Sequence, residues 1–171
     1  MAKKNLKQKR KVANASLLNK NAVESLSFQT HWGLKQLGVR EDHVLYEMAD
    51  VEIGIVSELE MVLDLLSIKK FIDGVRQNLQ VTPTPDCGDF KDSAMSWGLG
   101  IATFLNLQPI DDPISWYAMK RQKMMKIYYP ESKRNEVVSW AKDNGFNTST
   151  YLGRPIVKFT NIYVIIERTR E

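Results

Sequence analysis

The chain has 171 residues, 24 Lys and Arg against 20 Asp and Glu, a formal charge of +4 and one cysteine. This length suits one domain with appendages, and a lone Cys87 excludes an internal disulfide and a multi-cysteine zinc site. No apolar run reaches a membrane span, and no apolar signal core follows the basic start, so synthesis in a reducing cytoplasm and no membrane partner are expected.

The charge is unevenly spread. Residues 1–11 hold 6 of the 24 basic groups, which leaves 18 basic against 20 acidic residues in the body. Residues 1–40 carry 9 basic and 1 acidic residue, residues 41–112 carry 4 and 14, and residues 113–171 carry 11 and 5. The acidic middle, residues 41–112, argues against a wide nucleic-acid surface, and the polarity suits stacking against charged partners or further copies of the chain.

In chain order, residues 1–16 predict a flexible basic arm carrying Lys3, Lys4, Lys7, Lys9, Arg10 and Lys11. "NAVESLSFQTHWGLKQLG" predicts the first helix, with Val23, Leu26, Trp32 and Leu37 on its apolar side and Gly38 at its C-terminus. Asp50 is the expected N-cap of a long second helix in which Ile55, Leu59, Val62 and Leu66 fall at helical spacing, widened by Val56 and Leu63. Glu52, Glu58, Glu60 and Asp64 decorate its other face, as a solvated or inter-subunit surface rather than a catalytic carboxylate pair. Asp73–Gly74 predicts a turn, Val75–Val81 a short strand, and "TPTPDCGD" a loop.

Asp89 is the expected cap of a third helix over "FKDSAMSWGLGIATFLNL", whose small residues Ala94, Gly98 and Ala102 suit close helix packing, with Ile101 and Leu105 among them. Asp112 and Pro113 would open a fourth helix through "PISWYAMKRQKMMKIYY". Ile114, Tyr117, Ala118, Met124 or Met125 and Tyr128 are its expected packing side, and Lys120, Arg121, Lys123 and Lys126 its basic face. "ESKRNEVVSWAKDNG" predicts a fifth helix, and "STYLG", "PIVKF" and "NIYVIIE" predict strands. The chain then divides into a basic arm (1–16), a helical core (17–129) and a C-terminal α/β extension (130–171).

The helices over residues 26–129 resemble the head-to-tail connector or adaptor proteins of tailed phages, in particular the packaged-DNA stabilisation proteins of short-tailed phages. Three stretches carry the resemblance. "HWGLKQLGV" is similar to the family's opening helix. "VSELEMVLDLLSIKKFIDGVRQNLQV" is similar to its long acidic helix, with Leu59, Leu63, Phe71 and Gly74 at matching places. "DFKDSAMSWGLGIATFLNLQPIDDPISWYAMKRQKMMKIYY" is similar to its closing helix pair. The family often has Trp where this chain has Phe71, and neither the basic arm nor the α/β tail belongs to its pattern.

The expected fold is mainly α: a helical-bundle adaptor core, which the resemblance implies, with a small C-terminal α/β (β-hairpin) appendage and a flexible basic arm, which the residues themselves predict. The resemblance implies a structural virion protein at the head–tail junction, forming a ring of about twelve copies beneath the portal protein. Such a ring retains packaged DNA and receives a tail or nozzle protein. No enzyme activity and no cofactor or metal are expected. The second reading is a small nucleic-acid-binding protein that sets the arm and the fourth-helix lysines on phosphates. A third is an enzyme using Asp111, Asp112, His31, His43 or Cys87, which stand at no recognised catalytic spacing.

Overall fold

The computed structural model describes residues 2–85, 87–103 and 115–171, with the side chains of residues 2–4 and 12–16 outside that description. Among the described residues the chain forms six helices and a four-stranded sheet at the C-terminal end. A mainly α chain with a small α/β part is therefore what the sequence folds into.

Helix α1 runs from Ala2 to Gln36. The expected flexible arm is thus replaced by helix, in keeping with a Lys-, Gln-, Ala- and Leu-rich stretch that lacks Gly and Pro before Gly33. Its buried line is Ala22, Leu26, Thr30 and Leu34, one residue per turn. Of the predicted apolar side only Leu26 is buried; Trp32 and Leu37 face solvent. The Thr30 hydroxyl fits this line because it donates to the Leu26 carbonyl at 2.7 Å. Gly38, at φ +83°, ends the helix as expected.

The predicted long second helix is two helices. Helix α2 spans Val44–Glu58 and α3 spans Val62–Leu79. His43, not Asp50, caps α2, its Nδ1 accepting from the Leu45 N–H at 3.1 Å. The break falls at Glu60, in the left-handed region at φ +58°, and it lets both apolar stripes meet one core: Leu45, Ala49, Ile53 and Val56, then Leu65, Ile68, Phe71, Ile72 and Val75. Leu63, expected on the stripe, is exposed. The predicted turn at Asp73–Gly74 and the strand after it are instead the last turns of α3. Ion pairs from Asp73 to Lys69 (2.5 Å) and Arg76 (3.0 Å) brace that stretch at helical spacing.

Helix α4 covers only Ala94–Leu99, capped by Ser93, with Gly100 at φ +77° closing it. Asp89, the expected cap, instead accepts from the Lys126 N–H at 2.7 Å. The small residues do serve close packing. A Cβ on Gly33 would lie 1.6 Å from the Gly98 carbonyl oxygen, and one on Gly98 would lie 2.5 Å from the Thr30 carbonyl oxygen. Helices α1 and α4 thus cross backbone to backbone. Leu105 and the expected cap at Asp112–Pro113 lie outside the described residues, as do Ile114 and the candidate carboxylates Asp111 and Asp112.

The predicted fourth helix is a short helix and a strand: α5 (Trp116–Gln122) stops at Lys123, φ +57°, and β1 (Met124–Pro130) follows. Met125, Ile127 and Tyr129 are buried and alternate with half-buried neighbours, a period of two that takes precedence over helix propensity once the strand has a partner. Helix α6 (Glu131–Asp143) and strands β2 (Asn147–Tyr151), β3 (Arg154–Lys158) and β4 (Tyr163–Thr169) form where predicted. The sheet order is β1-β4-β3-β2, with β1 parallel to β4 and the other pairs antiparallel. The sheet therefore begins at Met124, ahead of the expected boundary at residue 130. The loop after α3 lies along β1, Thr84 N–H donating to the Tyr128 carbonyl at 2.8 Å and Asp89 N–H to that of Lys126 at 3.1 Å.

One core joins the helical part to the sheet, from Leu26 and Phe71 to Ile127 and Val164. A polar joint reinforces it. Asp64, 1% exposed at the start of α3, accepts from the Asn161 N–H through both oxygens at 3.1 and 3.3 Å. Burial pushes its carboxyl above the usual range, against the pull of the backbone donors at Asn161 and Thr160. Asp64→Ala is expected to cost about 2 kcal/mol, the scale of a lost hydrogen bond to a charged group, read as a lower urea midpoint. Leu63→Ala, one residue away and exposed, should leave the midpoint within about 0.5 kcal/mol of the wild type.

Candidate docking surface

The first half of α1 presents a basic surface. No described residue of this helix before Ala22 is buried. At 1.5 Å per residue, residues 2–21 extend about 30 Å. The stretch carries Lys3, Lys4, Lys7, Lys9, Arg10, Lys11 and Lys20 and no acid. Lys7, Lys9, Arg10 and Lys11 are exposed around the helix; the side chains of Lys3 and Lys4 lie outside the described residues. A cationic helix takes the place of the expected flexible arm.

The expected basic helix face is not one face. Lys120 and Arg121 sit in the last turn of α5, where cations suit the helix dipole. Lys123 is its left-handed cap, and Lys126 is on β1. The four expected acidic residues do not share a face either. Glu58 ends α2 and Glu60 forms the break; both are exposed. Asp64 is the buried joint already described. Glu52 turns inward from α2: it accepts from the Ser93 hydroxyl, from Trp116 Nε1 at 3.1 Å and from the Met95 N–H at 3.4 Å. Burial raises its carboxyl above the usual range despite these donors. Glu52 thus ties α2 to α4 and α5, and the exposed acids of this region are Glu41, Asp42, Glu47, Asp50, Glu58 and Glu60.

Between α1 and α2 lies an open groove of about 330 Å³ lined by Phe28, His31, Trp32, Lys35, Glu41 and Tyr46. Phe28 and Trp32 are stacked, 6.5 Å between ring centroids and 9° between planes, and 70% and 54% exposed. His31 Nε2 pairs with Asp50 Oδ1 at 2.6 Å and meets Tyr46 edge-on at 5.4 Å. This places Asp50 beside an aromatic patch that the chain-order reading missed. The available signal was the 11-residue spacing of Leu6, Leu17 and Phe28, which keeps all three on one side of a helix.

The other candidate catalytic residues stay apart. His43 is a helix cap, and Cys87 is half-buried in the loop beside β1. Among the described residues no three His, Cys, Asp or Glu side chains converge as a metal site, and no helix is long and apolar enough to cross a membrane. Compared with known proteins, the chain matches no protein-family model and no curated protein.

Proposed function

We propose that this chain is a non-catalytic docking subunit of a larger assembly, anchored through the basic half of α1. The observation that carries this reading is the seven-cation, acid-free stretch of α1, in which no described side chain before Ala22 is buried. A lone helix of this length is marginal in water and gains order by binding. Within that class the proposed role is the head-to-tail adaptor: a structural virion protein in a ring beneath the portal, retaining packaged DNA and receiving a tail or nozzle protein. Support for this finer role comes from the opening stretch "HWGLKQLGV", which ends α1 as the resemblance implies, and from the charge polarity of the chain. The two other stretches lend it less, because one is broken at Glu60 and the other is part helix and part strand.

The same cations favour a second reading, a nucleic-acid-binding protein. Removal of residues 2–11 separates the two. The described side chains that the deletion takes away are all exposed, so the remaining chain is expected to keep its melting temperature. On the adaptor reading it weakens docking to the portal ring of the same phage by at least about tenfold. Unchanged portal docking, with lost affinity for duplex DNA that falls steeply with salt in the full chain, would favour the nucleic-acid reading.

A further inference from the structure

We propose that the protein pairs with a second copy of itself through α1, the two helices running antiparallel and crossing at Leu17. Leu6, Leu17 and Phe28 are 56%, 57% and 70% exposed. They stand 11 residues apart, three helical turns each, and so form a nearly straight stripe. The stripe lies opposite the line of Ala22, Leu26, Thr30 and Leu34 that packs on the body, so a partner can reach it without displacing the core.

The spacing is symmetric about Leu17, and that symmetry selects the occupant. An antiparallel copy sets Leu17 on Leu17 and each Leu6 on the other copy's Phe28, in the self-complementary manner of a two-fold interface. The same reversal sets Arg10 against Glu24, the only acid in α1. It also brings the basic first turns alongside the aromatic groove, where Glu41 and Asp50 are exposed. A parallel pair would instead stack Arg10 on Arg10. A nucleic acid would use the lysines and leave the leucines and Phe28 in water. The pairing is a property of the protein alone, so it stands or falls separately from docking to a portal.

Cysteine cross-linking of the full chain tests it, in a Cys87→Ser background. Leu17→Cys lies on the two-fold axis and is expected to oxidise to a covalent dimer, because the Cα atoms must approach within about 7 Å for the bond to form. Leu6→Cys alone is expected to remain uncross-linked, and a mixture of Leu6→Cys with Phe28→Cys to form the mixed dimer. By light scattering without cross-linking, Arg10→Glu should raise the dimer dissociation constant by at least about tenfold, and Arg10→Glu with Glu24→Arg should restore it. A mass of one chain at tens of micromolar, Leu6–Leu6 cross-linking as efficient as Leu17–Leu17, or failure of the charge exchange to restore pairing would each overturn the proposal.

Discussion

Gly33→Ala is expected to destabilise the protein by about 3 kcal/mol or more, at the upper end of overpacking changes. The added Cβ would meet the Gly98 carbonyl oxygen at 1.6 Å and its carbon at 2.6 Å. Both are backbone atoms, so relief requires α1 and α4 to separate. The intrinsic helix preference for Ala over Gly, about 1 kcal/mol, works in the other direction, which makes the sign of the effect informative. Gly54→Ala supplies the control. Gly54 lies in α2 with nothing within 4 Å of its added Cβ, so this change should be neutral or stabilising by up to about 1 kcal/mol. If urea unfolding shows Gly33→Ala to be as stable as Gly54→Ala, the close crossing of α1 and α4 is wrong.

Glu52→Ala is expected to cost about 3 kcal/mol, because it removes the acceptor shared by the Ser93 hydroxyl, Trp116 Nε1 and the Met95 N–H and leaves buried donors unpaired. The wild-type carboxyl also has a pH signature. Burial raises its folded-state pKa above the ordinary 4.5, so the folded state holds the proton more tightly than the unfolded chain. The corresponding stability is complete below about pH 4.5 and is lost as pH rises through the raised folded value. Glu52→Gln carries no such proton. The stability of the wild type relative to Glu52→Gln should therefore fall as pH rises from 4 and then level off. A relative stability that rises over that range would contradict the burial of this carboxylate.

Much of the fold was legible where a local signal and the tertiary contacts agree. Gly38 ended its helix, Asn144–Gly145 closed α6, and the β-branched runs near the C-terminus became β3 and β4. The reading failed where partners decide. Met124–Lys126 are good helix formers, and β4 on one edge with the loop after α3 on the other makes the stretch a strand. Asp73–Gly74 has turn composition, yet Lys69 and Arg76 hold Asp73 within a helix, and Gly74 leaves room for Trp140, whose ring would lie 2.4 Å from an added Cβ. Glu60 takes a left-handed conformation without being glycine, which no propensity announces.

For the candidate site, the basic residues near the N-terminus were legible as a cluster. Their helical form was not, because residues 1–16 alone hold too few apolar residues for a period, and one shows only when Leu6 is set against Leu17 and Phe28. The acidic set was divided by depth: sequence alone does not tell Glu58 in solvent from Glu52 and Asp64, whose oxygens are taken up by internal donors.

The most direct test of the proposed adaptor role is the mass of the full chain in solution, alone and mixed with a phage portal ring, by light scattering at physiological salt. The account predicts a small species alone and, with the ring, a saturable complex heavier than the ring by many copies of the chain. A ring whose mass is unchanged at saturating protein, while the same preparation shifts duplex DNA at that salt, would contradict it.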